Sequence, residues 1–202
     1  FKQVEAFCYL AGRKKSDEVA AFLTENCGEG MTGFLGYYIL SAAAESGAGD
    51  KVIEMVKEFY GGMISLGATS FWEDFDVKWL KDNPQGLCDI PENGRKNVHR
   101  DYGKHCYKGF RHSLCHGWTS GVYAFLIRQV LGVTPVEAGF KKARISPNLF
   151  GLKRVGGVVP TPLGKITVKF ESVNGKIKGV IKKPKAMLLD CPIAENCEII
   201  DR

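Results

Sequence analysis

Apolar residues recur at helical spacing through the amino-terminal part of the chain. Phe1, Val4, Phe7, Cys8 and Ala11 open the pattern with no capping residue ahead of them, so the chain is expected to start inside a domain and run as a helix to about Gly12. A second helix is expected after Ser16, a residue suited to cap it, with Asp17 and Glu18 favouring its amino-terminal dipole. A third covers about Phe34 to Glu45, with Phe34, Leu35, Tyr38, Ile39 and Ala42 on one face, and ends near Gly47. Asp50 opens a fourth, whose stripe is Val52, Met55, Val56 and Phe59. Short glycine-bearing turns between such helices imply antiparallel pairs. From about Trp79 to Phe110 the chain is polar and too long for an ordinary connection, which marks a functional or a poorly ordered loop. Helical spacing resumes with Trp118, Val122, Phe125, Leu126 and Leu131 and stops at Gly132, before Pro135.

Beyond that point the period changes to two. Ile166, Val168 and Phe170 alternate with Lys165, Thr167 and Lys169. Asn174-Gly175 is a hairpin turn signal, and Ile177 and Ile181 continue the alternation on its far side. The expected organisation is therefore a helical region over residues 1–134 and a small antiparallel β domain over 135–202.

Composition changes this picture in one place. The chain of 202 residues carries a net charge of +6, but between Phe140 and Lys185 twelve Lys or Arg face one acid, Glu171, so that segment is +11 and the remainder −5. A nucleic-acid surface is one reading of such a block. Lysines alternating with core residues also describe the wet face of a half-buried sheet, and no aromatic but inward-phased Phe170 stands among those alternating lysines to stack on bases, so no nucleic-acid partner is expected. No apolar run approaches the ~18 residues of a membrane span. The seven cysteines are scattered without the spacing of a disulfide scaffold; Cys191 and Cys197 are near enough in sequence to close a small loop, and free thiols are expected elsewhere.

Two stretches carry candidate chemistry. In Gly67 to Asp76 aromatics and carboxylates are interleaved, with Trp72 and Glu73 adjacent. Aromatic rings suit the apolar faces of sugars and a neighbouring carboxylate suits proton transfer, while the same pattern also fits core aromatics and helix-capping acids. In Arg111 to Trp118, His112 and His116 are four apart with Cys115 beside them. A metal site would need further ligands from His99, His105 or Cys106, and the paired spacing of a structural zinc site is lacking, so no metal or other cofactor is expected. His116 is left as either a core histidine or a substrate contact. Phosphate-loop, dinucleotide and nucleophile-elbow patterns are absent from the sequence.

The run from Gly61 through Trp72-Glu73-Asp74-Phe75, the segment Ser113-Leu114-Cys115-His116-Gly117-Trp118, Gly132-Val133-Thr134-Pro135, Ala143-Arg144-Ile145-Ser146-Pro147 and Pro160-Thr161-Pro162-Leu163-Gly164 resemble, in order, the α-L-rhamnosidases of glycoside hydrolase family 78. The resemblance implies the last helices of an (α/α)6 barrel followed by a carboxyl-terminal β-sandwich. It also implies an inverting hydrolase of terminal α-L-rhamnose in glycans or glycosides, exported to the periplasm or outside. Glu73 would be the general base that activates water and His116 a sugar contact, with Trp72 and Arg111 as adjacent substrate-binding candidates. The general acid would come from residues upstream of Phe1, so the partners implied are a rhamnose-containing oligosaccharide and the rest of the polypeptide. Cys115 and Gly117-Trp118 depart from the Asn and aromatic residue common around this histidine. A non-catalytic carbohydrate-binding or structural homologue is the alternative.

Overall fold

The computed structural model describes residues 1–102 and 113–202, with the side chain of His99 excepted. The described chain combines helices with antiparallel-rich sheets and divides into two compact units, Phe1–Val122 and Tyr123–Arg202.

In the first unit, the helical periodicity becomes α1 (Lys2–Leu10), α2 (Ser16–Thr24), α3 (Gly36–Glu45) and α4 (Lys51–Ser65). Ser16 does not cap α2: Lys15 stands at that position and Ser16 is the first helical residue. The stripe expected on α3 is split. Ile39 and Ala42 are buried, whereas Phe34 and Tyr38 are exposed, because α3 turns Gly36, Leu40 and Ala43 inward as well. Helix α4 follows expectation, burying Val52, Met55, Phe59 and Met63.

The segment after Trp79 lies within the described residues only as far as Tyr102, and that part is organised. A 3-10 turn spans Val77–Asp82, Asn97 bridges to Gln85, and a short helix, α5, covers Val98–Asp101. Buried Gln85 donates its side-chain amide to the Ile90 carbonyl and accepts from the Glu92 N–H, both at 2.8 Å. Trp79 stacks on Tyr102 with centroids 4.7 Å apart, and the Tyr102 hydroxyl donates to the Asp82 carboxylate at 3.0 Å. These bonds satisfy a polar segment that has few apolar side chains of its own.

The helical run before Gly132 is a 3-10 turn (Gly117–Ser120), then α6 (Gly121–Phe125), then a π-helical turn (Leu126–Val130). Val122 and Phe125 are buried as expected, but Trp118 is 42% exposed and is not a core residue.

The second unit holds two sheets. Strands β1 (Val133–Pro135), β2 (Lys142–Ile145) and β6 (Leu188–Asp190) form one in the order β1-β2-β6. Strands β3 (Arg154–Thr161), β4 (Gly164–Val173), β5 (Lys176–Lys183) and β7 (Cys197–Asp201) form the other in the order β3-β4-β5-β7. The expected alternation is present: Ile166, Val168, Phe170 and Ile181 join Val133, Ala143, Ile145 and Met187 in one hydrophobic cluster shared by both sheets. Asn174 and Gly175 both take positive φ, 50° and 76°, as a two-residue hairpin turn requires, and set Val173 opposite Lys176. The expectation of purely antiparallel pairing fails at two edges, where β2 pairs with β6 and β5 with β7 in parallel. Each of these pairs joins strands separated by a longer connection, which can return the chain in the same direction where a two-residue hairpin cannot. Cys191 and Cys197 are free thiols, half-buried against the core cluster, and burial pushes the pKa of both upward.

One glycine fixes the register. Gly179 lies opposite Phe170, and a Cβ there would sit 2.2 Å from the Lys169 carbonyl oxygen and 2.4 Å from the Phe170 ring. Gly179→Ala is expected to lower stability by about 1–3 kcal/mol, seen as a fall in the urea midpoint.

Candidate functional site

The site begins where α4 ends. Gly67, at φ 91°, reverses the chain, while the N–H groups of Gly67 and Ala68 close the last helical turn on Ile64 and Met63. The chain then extends through Phe71, Trp72 and Glu73. Alternation along an extended backbone sends neighbouring side chains to opposite sides, so Trp72 goes into the core and Glu73 does not. Trp72 is fully buried, 6.2 Å from Phe75, which itself packs edge-on to Phe59 and Trp79. A Cβ at Gly62 would lie 2.8 Å from the Phe75 ring, so this glycine of α4 admits the aromatic cluster.

A second extended segment, Ser113 to His116, pairs with the first. The Glu73 N–H donates to the Ser113 carbonyl at 2.8 Å, and the His116 N–H donates to the Phe71 carbonyl at 2.7 Å. The Ser70 hydroxyl adds a bond to the Leu114 carbonyl at 2.6 Å. The Glu73 carboxylate closes the same ladder by accepting from the Ser113 N–H at 2.8 Å, across a sequence separation of 40 residues. Both candidate functional side chains therefore stand on one short ladder, and both are partly exposed.

Trp118 ties them together. Its indole N–H donates to the Glu73 carbonyl at 2.9 Å, and its ring stacks on His116 with centroids 4.0 Å apart and planes 28° from parallel. The Trp118 backbone N–H also faces His116 Nδ1 at 3.5 Å, a long contact. Exposed Phe34 lies 5.6 Å from the Trp118 ring, tilted 42° to it. Below it, buried Thr119 donates its hydroxyl to the Trp72 carbonyl at 2.7 Å. Gly33 makes room for that threonine, since a Cβ would fall 2.2 Å from the Thr119 oxygen.

Of the four residues singled out from sequence, the structure brings Glu73 and His116 together. Trp72 is corrected to a core residue: with no exposed surface, its ring has no face to offer a ligand, because the strand's alternation turned it inward. Arg111 lies outside the described residues, as do His105, Cys106 and His112. Among the described residues no three His, Cys, Asp or Glu side chains cluster to hold a metal ion. Asp76 serves as a cap, accepting from the Lys78 N–H at 2.9 Å. Sequence reasoning missed the role of Trp118, having placed it on a buried stripe; the adjacency of an aromatic to His116 was the only signal. No helix among the described residues is long and apolar enough to cross a membrane.

Comparison with known proteins gives the family of the chain. Residues 132–186 match the bacterial α-L-rhamnosidase C-terminal domain. An α-L-rhamnosidase of Alteromonas sp. (strain LOR) is 33% identical over 147 residues, 69% of this chain and 13% of that protein. The crystal structure of a GH78 family rhamnosidase of Bacillus sp. GL1 superimposes with a TM-score of 0.66 at 23% identity, over 99% of this chain and 20% of that one. The Streptomyces avermitilis α-L-rhamnosidase, solved with L-rhamnose, gives 0.62 at 16% identity, over 87% of this chain and 16% of its own. The chain belongs to the α-L-rhamnosidases of glycoside hydrolase family 78 and corresponds to their carboxyl-terminal part, spanning a fifth or less of the length of these relatives.

Thr119→Val removes the hydroxyl that bonds the Trp72 carbonyl from a fully buried position and should cost about 1–3 kcal/mol in urea denaturation.

Proposed function

We propose that the protein carrying this chain is an inverting α-L-rhamnosidase that releases terminal α-L-rhamnose from glycans or glycosides outside the cytoplasm. In this reading residues 1–134 contribute the last helices of an (α/α)6 catalytic barrel, and residues 135–202 form the terminal β-sandwich. Glu73 is the general base. The observation that carries the proposal is the ladder that fixes the Glu73 carboxylate against the Ser113 N–H and sets His116 and Trp118 beside it.

An inverting hydrolase needs a carboxylate to take a proton from the attacking water while a separate acid protonates the leaving oxygen. Glu73, held by its backbone N–H, its carbonyl and its carboxylate, has the fixed position that such a base requires. His116 binds a sugar hydroxyl, and the exposed Trp118 and Phe34 rings offer an apolar wall for the pyranose. Arg111, which follows the same motif, remains a substrate-binding candidate. The general acid comes from the upstream polypeptide.

Glu73→Gln retains an oxygen to accept the Ser113 N–H but removes the proton acceptor. In the full-length protein it should reduce kcat on an aryl α-L-rhamnoside roughly a hundredfold to ten-thousandfold with KM little changed; full activity would remove Glu73 from the reaction. Trp118→Phe keeps a ring on His116 while deleting the donor to Glu73, and should lower kcat roughly tenfold. An unchanged kcat would show that the indole bond does not position the base. Rhamnose binding by the full-length protein without any hydrolysis would favour the non-catalytic homologue.

A further inference from the structure

The outer face of the four-stranded sheet carries an excess of cations around a groove, and the catalytic reading does not use that charge. Strand register places side chains in rows across it: Arg154, Glu171 and Lys178; Gly156, Lys169, Val180 and Glu198; Val158, Thr167 and Lys182. Lys165 and Lys176 extend the same face, giving six cations against two acids. Along each strand, alternate residues on this face stand ~7 Å apart. Among the described residues Arg154, Lys169, Lys178 and Lys182 have no carboxylate within ion-pair distance, whereas buried Lys183, facing the other way, pairs with Asp201 at 2.7 Å.

Protection of sheet edges does not explain this arrangement. Edge strands are where lysines discourage pairing with other chains. Here the edges are β3 and β7, yet five of the six cations lie on the central strands β4 and β5. The face is also concave. A cavity of about 550 Å³ runs over it, lined by Gly156, Val158, Thr167 and Val180 together with two cations, Arg154 and Lys169, and one acid, Glu171. Gly156 contributes no side chain to the floor, and Val158 is 55% exposed.

We propose that this groove binds an anionic polysaccharide, a chain whose sugars carry carboxylate groups. The apolar floor fits the hydrophobic face of a pyranose ring, and the flanking Arg and Lys fit carboxylates spaced along the polymer. No aromatic side chain lies on this face, so the stacking that holds single-stranded nucleic acid has no platform. The choice of a glycan over other polyanions rests on the family assignment. Binding here would hold a polymeric substrate on the protein independently of the catalytic residues.

Affinity electrophoresis of the full-length protein tests this, with polyglucuronate cast in a native gel and neutral dextran as the reference. Polyglucuronate should retard the parent protein, less so as salt rises, and dextran should not. The triple variant Arg154→Gln, Lys169→Gln, Lys182→Gln should bind roughly tenfold more weakly. A triple of equal charge change at exposed Lys15, Lys51 and Lys57 should bind as the parent does. Thermal melts establish that all three proteins are folded. Equal weakening by both triples, no retardation of the parent, or tighter binding of duplex DNA than of polyglucuronate would overturn the proposal. Hydrolysis of a small aryl rhamnoside by the same variants should stay at the parental level, and its loss or absence would bear on the catalytic reading instead.

Discussion

The short ladder between Phe71–Glu73 and Ser113–His116 is the constraint on which the candidate site depends. Neither segment belongs to a sheet that stands by itself, and each would leave backbone donors and acceptors unpaired without the other. Their pairing satisfies those groups and at the same time fixes which side each side chain occupies. The Glu73 carboxylate then adds a bond of its own to the partner segment, so the acid is part of the structure that presents it.

Packing on the two sides of the ladder has opposite character. Inward, Trp72 and Phe75 join Phe59 and Trp79 in an edge-to-face aromatic cluster, an arrangement that excludes water and makes the ladder's position hard to shift. Outward, Trp118, His116 and Phe34 leave aromatic surface in solvent beside the acid. The same residue types thus do two jobs, one on each side, and the glycines Gly33 and Gly62 mark where backbone must come close enough for both to be met. In the second unit, alternation works on a larger scale: one side of the four-stranded sheet closes the core around Phe170 and Ile181, and the other collects the lysines.

Much of this was legible beforehand. The helices α1 to α4 follow from periodicity because burying one face is what stabilises a short helix in water. The β4–β5 hairpin follows from alternation around Asn174-Gly175, since those two residues tolerate positive φ. The parallel pairings of β6 and β7 were not legible, because short strands after long connections carry no local mark of their direction. Ser16 shows the limit of capping signals: helix initiation one residue earlier made it the first helical residue instead.

By itself, the sequence determined the change from helical to alternating period and the concentration of positive charge in the second half. These are properties of residue order, and local physics reads them directly, whereas the motifs around Glu73 and His116 pointed to a family only by resemblance to it. Tertiary structure decided which aromatic is core and which is surface. Trp72 and Trp118 look alike as letters, but one lies on the inward side of a ladder and the other follows its end, donating to the Glu73 carbonyl. That difference depends on a pairing between segments 40 residues apart, which no local window contains.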